Sequence, residues 1–385
     1  MKHNSDSLPL DGLKVLDLSR VLAGPLCSMI LGDLGAGVIK VERPGAGDET
    51  RGWGPPFDER GESAYFLSIN RNKLSVAADL ATNEGRDLVR NLIGEADVVV
   101  DNYRRGTLAR FGLDPEEIQR DRPRLIWLTI SGFGPDSDRA GYDVVVQAEQ
   151  GWMAITGEAG GTPVRVGVAL VDVVTGKDAA VAILAALVAR GNSGAGARLH
   201  VSLAASATAA LVNVAQNTLV SGTDAVRWGN AHPNLVPYQL FDTADRPMIV
   251  AVGNDGQWRA LTIVLGLDAL GADASLAANA GRLASRARVV AAVAERLRTR
   301  SAGQWSAELD AAGVPCGLVR TVLEALGGTA SSPLTGVAPS VPPGRVRLPP
   351  PRLDEHGDRI RASGWGAFGE QAPRGRSASL GRSPE

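Results

Sequence analysis

Residues 13–41 read LKVLDLSRVLAGPLCSMILGDLGAGVIKV, and their pattern decides the fold class. Leu13–Leu18 is a short apolar run of the kind that forms a strand buried on both faces. Gly24-Pro25 marks a turn. Leu26–Leu34 reads as a short helix stopped by Gly35, and Val38–Val41 as a second strand. The unit is β-α-β. It recurs downstream: Glu84–Glu95 is periodic and helical, Ala96–Val100 is a strand, Leu108–Phe111 starts a short helix, and Leu125–Ile130 is another strand. Strands alternating with helices predict an α/β fold with a parallel sheet, wound by right-handed crossovers into a Rossmann-like layer.

Further along, Val173–Ala189 is apolar nearly all round and predicts a long buried helix. Arg198–Leu203 reads as a strand, and Leu203–Val220 as a second buried helix. The texture changes near Val226. A Pro-rich stretch is followed by a hairpin pair, Leu240–Phe241 with Met248–Val252, and by helices over Trp258–Leu265, Leu283–Arg300 and Ala302–Ala311. This predicts a smaller α+β domain over 221–320, after a large domain over 1–220. Residues 332–352 read as an extended return segment, and 364–385 as a disordered tail rich in Gly, Ser, Arg and Pro.

Composition narrows the function. With 40 Lys+Arg against 42 Asp+Glu in 385 residues, the chain lacks the basic excess that displaces counterions from nucleic acid. Its two cysteines, Cys27 and Cys316, form no framework, and its four histidines are scattered, so no metal site is expected. No leader and no apolar run of about 20 residues is visible, so the expectation is a cytoplasmic protein without a membrane partner.

The first turn of the β-α-β unit reads Ser19-Arg20-Val21-Leu22-Ala23-Gly24-Pro25 and has no GxGxxG, which argues against a dinucleotide site. Basic and amide side chains gather instead near strand ends: Arg43; Asn70, Arg71, Asn72 and Lys73; Asn102, Tyr103, Arg104, Arg105 and Arg110. Guanidinium forks suit phosphates, while Asn and Tyr suit a purine and its ribose. Taken together they predict a crevice for a phosphorylated adenine-type ligand. Asp172 heads the long helix. An Asp there is a routine N-cap. It is also a carboxylate held near helix N–H groups, and such a group can attack an activated acyl carbon.

The segments LPLDGLKVLDLSRVLAGP, GAGVIKVERPGAGDETR, NRNKLS, DNYRRGTLARFGL, RLIWLTISGFG, AGYDVVVQAEQG, VDVVTG, GNAHPNLVPYQLF, VAVGNDGQW and AAGVPCGLV, in this order over Leu10 to His356, resemble the class III CoA-transferase family, which includes α-methylacyl-CoA racemases. The resemblance implies Asp172 as the nucleophile. It implies CoA contacts at Leu22, Ala23, Arg43, Ile69, Asn70, Arg71, Asn72, Asn102, Tyr103, Arg104, Arg110 and Tyr142. It places Asp143 beside the active site and Gly253, Asn254, Asp255, Gly256 and Gln257 in a loop that closes over intermediates. It further implies an interlocked homodimer, with residues 321–363 returning to the large domain. No permanent cofactor is implied; the acyl-CoA thioester is a substrate and a free carboxylic acid its partner. Racemases resemble this chain but carry His-Asp where it has Tyr142-Asp143. A tyrosine, with an ordinary pKa near 10, moves an α-proton poorly, so transfer is favoured over racemisation. A CoA-ester binder in which Asp172 only caps its helix is the remaining alternative.

Overall fold

The computed structural model describes residues 7–369, which divide into two compact units. Of the described residues, the larger comprises 7–150, 167–212 and 330–369, and the smaller 151–166 and 213–329. The division differs from the sequence expectation: residues 151–166, 213–220 and 321–329, all inside the expected large domain, belong to the smaller unit. Among the described residues no single helix is long and apolar enough to cross a membrane.

The larger unit is built on six parallel strands: β1 (Lys14–Asp17), β2 (Gly37–Glu42), β3 (Lys73–Ala77), β4 (Val98–Asp101), β5 (Ile126–Ser131) and β6 (Ala197–Ser202). Their order in the sheet is β3-β2-β1-β4-β5-β6. The order reverses between β1 and β4, and such a switch point opens a crevice at the strands' carboxyl ends. Leu16, Ile39, Leu74, Val99 and Trp127 fill the core on these strands, and Ile360 and Trp365 from the returning chain pack into it. Gly364–Phe368 is a 3-10 turn with Trp365 buried, where the sequence suggested disorder from Gly364 onward. The rest of that expected tail, 370–385, lies outside the described residues.

Strand β3 was not legible, because its KLSVA carries a charge and a hydroxyl into the core. Lys73 Nζ donates to Asp17 Oδ2 (3.0 Å), Asn70 Oδ1 (2.9 Å) and the Pro25 carbonyl (2.8 Å). Burial alone would raise the Asp17 carboxyl, but Lys73, Lys40 and two serine hydroxyls hold it well below the usual carboxylate range. Burial likewise brings Lys73 down to about 8 despite Asp17.

The long helix spans Leu170–Ser193, and the expected second helix breaks into Leu203–Ala209 and Val212–Ser221. The break falls at Val212, whose φ is +41°. Contrary to the sequence expectation, the second piece is not buried: Val212, Leu219 and Val220 are 69%, 77% and 78% exposed. Val181 and Val188 of the long helix are exposed too.

In the smaller unit, β7 (Tyr238–Phe241), β8 (Met248–Ala251) and β9 (Cys316–Leu318) form an antiparallel sheet. Its core of Phe241, Met248, Val250, Trp258, Val289 and Trp305 packs the helices Asp255–Val264, Arg286–Leu297 and Ala302–Ala311.

Removing one member of a buried ion pair leaves the other uncompensated. Lys73→Met is therefore expected to destabilise the larger unit by about 3–5 kcal/mol, read as an earlier denaturant midpoint. An unshifted midpoint would show that Asp17 needs only Lys40.

Candidate active site

A crevice of about 650 Å³ opens at the carboxyl ends of β1, β4 and β5. Its walls carry Arg20, Leu22 and Ala23 from the β1 turn, Asn102, Tyr103 and Arg104 after β4, Tyr142, and Asp172. Eight of the residues singled out from sequence, Arg105 among them, thus meet in one cavity of the larger unit.

Asp172 is not an N-cap. The helix begins at Leu170, so Asp172 lies within its first turn, and the N-cap residue is Ala169, which has no side-chain acceptor. The orphan donors are satisfied by another helix, Asp143–Glu149: Asp143 Oδ1 accepts from the N–H of Val171 (2.8 Å) and of Asp172 (3.3 Å). Gln147 Nε2 donates to Asp143 Oδ2 at 2.6 Å. Asp143 therefore takes the helix donors that would otherwise stabilise Asp172. Burial raises the Asp172 carboxyl, Asp143 raises it further, and it stands at about 7. Tyr65 packs edge-on against Trp53, whose ring lines the crevice, with ring centres 5.2 Å apart. Burial and the carboxylates Asp172, Asp143 and Asp48 push its phenol up to about 12.

The first helix, Ala23–Asp33, runs against the long helix one turn beyond Asp172. A Cβ at Gly176 would stand 2.7 Å from the Ala23 carbonyl oxygen, so only glycine permits this approach.

Several expected ligand contacts lie elsewhere. Ile69–Asn72 precede β3, at the amino end of the parallel sheet, away from the crevice. All four are buried. Arg71 donates to Asp33 (2.9 and 2.7 Å) and to the Thr335 and Val337 carbonyls (3.0 and 2.6 Å). Asn72 brackets the returning chain, donating to the Arg345 carbonyl (2.8 Å) and accepting from the N–H of Arg347 and Leu348 (2.6 and 2.8 Å). Arg71 and Asn72 thus hold the return segment to the sheet, and none of the four residues lines the crevice. Arg43 and Arg110 are exposed and are not on its walls. Gly253–Gln257 belong to the smaller unit, and most of this expected loop is helical. Asn254 caps the helix by accepting from the Gln257 N–H (3.0 Å), and Gln257 Oε1 accepts from Gly253 N–H (2.8 Å).

Arg198 and His200 were missed. They alternate along β6, so both project to the crevice side. That i, i+2 pairing was the available signal. Burial, then Arg198, lowers the His200 imidazole and keeps it neutral.

Comparison with known proteins gives the family of the chain. The profile of CoA-transferase family III matches residues 10–356. The chain belongs to CoA-transferase family III. It is 40% identical over 380 residues to the succinate–glutarate CoA-transferase of Agrobacterium fabrum, covering 92% of this chain and 95% of that protein. It is 43% identical over 317 residues to the succinyl-CoA:glutarate CoA-transferase of Homo sapiens, covering 82% and 72%. A solved CAIB/BAIF family protein from Brucella suis superposes with a TM-score of 0.82 at 42% identity, over 92% of this chain and 99% of that one. The chain is an enzyme of CoA transfer, and its family III fold is the α/β layer described above.

An acid whose folded-state pKa is raised from 3.8 to about 7 costs stability when ionised, fully above pH 7 and not at all below about pH 4. Asp172→Asn is therefore expected to stabilise the protein at pH 8. The gain is of the order of 1–3 kcal/mol once solvent access to the half-buried carboxyl is allowed for. In thermal melts it should fade as the pH falls through 7 toward 4. A gain that persists at pH 4 would mean that the carboxyl is not held near neutrality.

Proposed function

We propose that this enzyme moves CoA from an acyl-CoA donor to a free carboxylic acid, with Asp172 as covalent nucleophile. The observation that carries the reading is a carboxylate on the crevice wall, half-buried, with no hydrogen-bond donor of its own among the described residues. A poorly solvated carboxylate is the reactive form of this group, and a pKa near 7 leaves a large ionised fraction at neutral pH.

The Asp172 carboxylate attacks the donor thioester carbon. The C–S bond breaks, giving an aspartyl mixed anhydride and CoA thiolate. The thiolate attacks the aspartyl carbonyl, releasing the donor acid and leaving an aspartyl-CoA thioester. The acceptor carboxylate attacks that thioester to form a second anhydride, and the thiolate then takes up the acceptor acyl group. Asp172 is returned as the free carboxylate. Dividing one hard exchange into such steps lowers each barrier. Phosphates of the nucleotide end are assigned to Arg104, whose exposed guanidinium has no partner among the described residues, and adenine or ribose to Tyr103, since the Asn102 amide is engaged on both sides by the Arg20 backbone. Arg20 and Arg139 are each paired already, with Glu49 and Glu149. The relatives named for succinate and glutarate point to dicarboxylic acids as donor and acceptor.

A second reading, α-proton exchange, draws on His200 in the same crevice. One experiment separates the two. Incubation with succinyl-CoA and then hydroxylamine is expected to convert the Asp172 carboxyl to a hydroxamate, seen by peptide mass. Asp172→Ala should lose about 10³-fold or more in transfer to glutarate. In deuterium oxide no label should enter the α-carbon of a 2-methylacyl-CoA. A hydroxamate elsewhere, or deuterium uptake without acyl exchange, would overturn the transfer mechanism.

An interlocked homodimer is part of the proposal. Exposed Val181, Val188, Val212, Leu219, Val220 and Leu323 support it, because a second chain would cover them. Light scattering is expected to give twice the mass of the chain, and a monomer at micromolar concentration would refute it.

A further inference from the structure

Ser19, Arg20 and Val21 join β1 to the first helix, and each is held by a side chain from another part of the sheet. The Ser19 N–H and hydroxyl donate to Asp17 Oδ1 (2.9 and 2.5 Å), and the Ser19 carbonyl accepts from Lys40 Nζ (2.8 Å). The Arg20 N–H donates to Asn102 Oδ1 (3.0 Å), and its carbonyl accepts from Asn102 Nδ2 (2.7 Å). Asn102 thus brackets Arg20 as a neighbouring strand would. The Val21 N–H faces both carboxylate oxygens of Asp48, at 3.3 Å each. Asp48 is ion-paired to Lys40 at 2.9 Å, with both side chains fully buried. Thr50 also donates to Asp48 through its N–H and hydroxyl, at 3.0 and 2.8 Å.

Val21 has a φ of +73°. A β-branched side chain is strained in this left-handed region, and such strain persists only where the surroundings over-determine it. The residues that follow, Leu22 and Ala23, share the crevice wall with Asp172, and the helix they begin lies one turn beyond it, at Gly176. The dihedral at Val21 therefore sets where this wall stands relative to the carboxylate. Lys40 and Asp48 are not on the wall; they reach it through Ser19 and Val21 and, because Asp48 caps Glu49–Gly52, through Glu49 and Trp53, and substitutions at Val21 separate these routes.

We infer that the buried Lys40–Asp48 pair is a positioning device for the acyl-CoA site: it holds Val21 in the left-handed region so that Leu22 and Ala23 are set in place before substrate arrives. The inference rests on the proposed reading of the crevice. A buried ion pair is a poor source of stability compared with apolar packing of equal volume. A charged acceptor that fixes a strained N–H is a use that apolar residues cannot supply.

The test measures coenzyme A binding by calorimetry and steady-state transfer from succinyl-CoA to glutarate, in the full-length chain. Asp48→Asn retains an oxygen for Thr50 and removes the charge. It is expected to raise the KM for succinyl-CoA and the Kd for coenzyme A about tenfold, with kcat changed less, because the wall must be ordered at the expense of binding. Glycine reaches positive φ without strain, so Asp48→Asn/Val21→Gly should bring KM back to within about threefold of wild type. Val21→Pro fixes φ near −65° and removes the N–H without touching a buried charge, and should raise KM as Asp48→Asn does. A pair that serves stability alone would lower the melting temperature, leave KM unchanged and gain nothing from glycine; that result overturns the inference. An unchanged KM in Val21→Pro overturns it as well, even if Asp48→Asn fails to fold. Wild-type protein that binds no coenzyme A overturns the site reading, and the clamp with it, whereas wild-type binding with an indifferent clamp overturns the clamp alone.

Discussion

Two carboxylates meet at the start of one helix. The first turn of Leu170–Ser193 offers backbone N–H groups and a positive end, enough to stabilise a single anion well. Asp143 takes the N–H groups of Val171 and Asp172 and is steadied behind by Gln147. Asp172 is left in the same field with a like charge beside it and no donor to its carboxylate among the described residues. The arrangement inverts the usual role of a first-turn aspartate. The acid that belongs to the helix is destabilised, and the acid that does not belong to it is the cap. On the proposed mechanism this is the useful order. A carboxylate satisfied by hydrogen bonds is a weak nucleophile, and one held unsatisfied releases that cost when it acquires an acyl group.

The rest of the larger unit keeps this contact in register. The long helix cannot approach the first helix unless residue 176 is glycine. The first helix cannot start where it does unless the turn after β1 is bent at Val21. That turn rests on a buried set of charges, Asp17, Lys40, Asp48 and Lys73, drawn from β1, β2, the loop after β2, and β3. Strand β3 is in turn tied to the returning chain through Asn72 and Arg71. Polar groups that look like ligand contacts on paper are therefore the joints of the frame. A parallel sheet buried on both faces has few places to hide a charge, and here opposite charges are paired across the neighbouring strands β3, β2 and β1.

This explains which parts were legible in the sequence. β1, the first helix, β2, β4 and β5 announce themselves by apolar runs and turn residues, and they carry the Rossmann-like order. β3 does not, because KLSVA places Lys73 and Ser75 inside, paired with Asp17 and Glu42. Asp172 was legible as a charged residue at the head of an apolar helix, but its place in the first turn was not. Helix starts are set by which acceptor takes the free N–H groups, and here that acceptor is 29 residues away in sequence. The pairing of Arg71 and Asn72 with Asp33 and the returning chain was illegible for the same reason. A guanidinium that faces phosphate and one that faces Asp33 are identical as letters.

The crevice separates two kinds of electrostatics. At the β4 end, Arg104 and Arg105 stand in solvent, where each charge contributes little to affinity but attracts a polyanion over the distance that salt allows. At the helix start Asp143 is buried and Asp172 half-buried, and burial, followed by the Asp143 charge, raises the Asp172 carboxyl from 3.8 to about 7. A substrate such as an acyl-CoA has the matching asymmetry: a charged nucleotide at one end and an uncharged thioester at the other. The exposed end of the crevice suits capture. The enclosed end suits reaction, since an anion there gains more by losing its charge to an acyl group than it would in water. On the proposed reading a single crevice gives both ends of one long ligand the dielectric each requires, and the order of strands around the switch point is what puts them side by side.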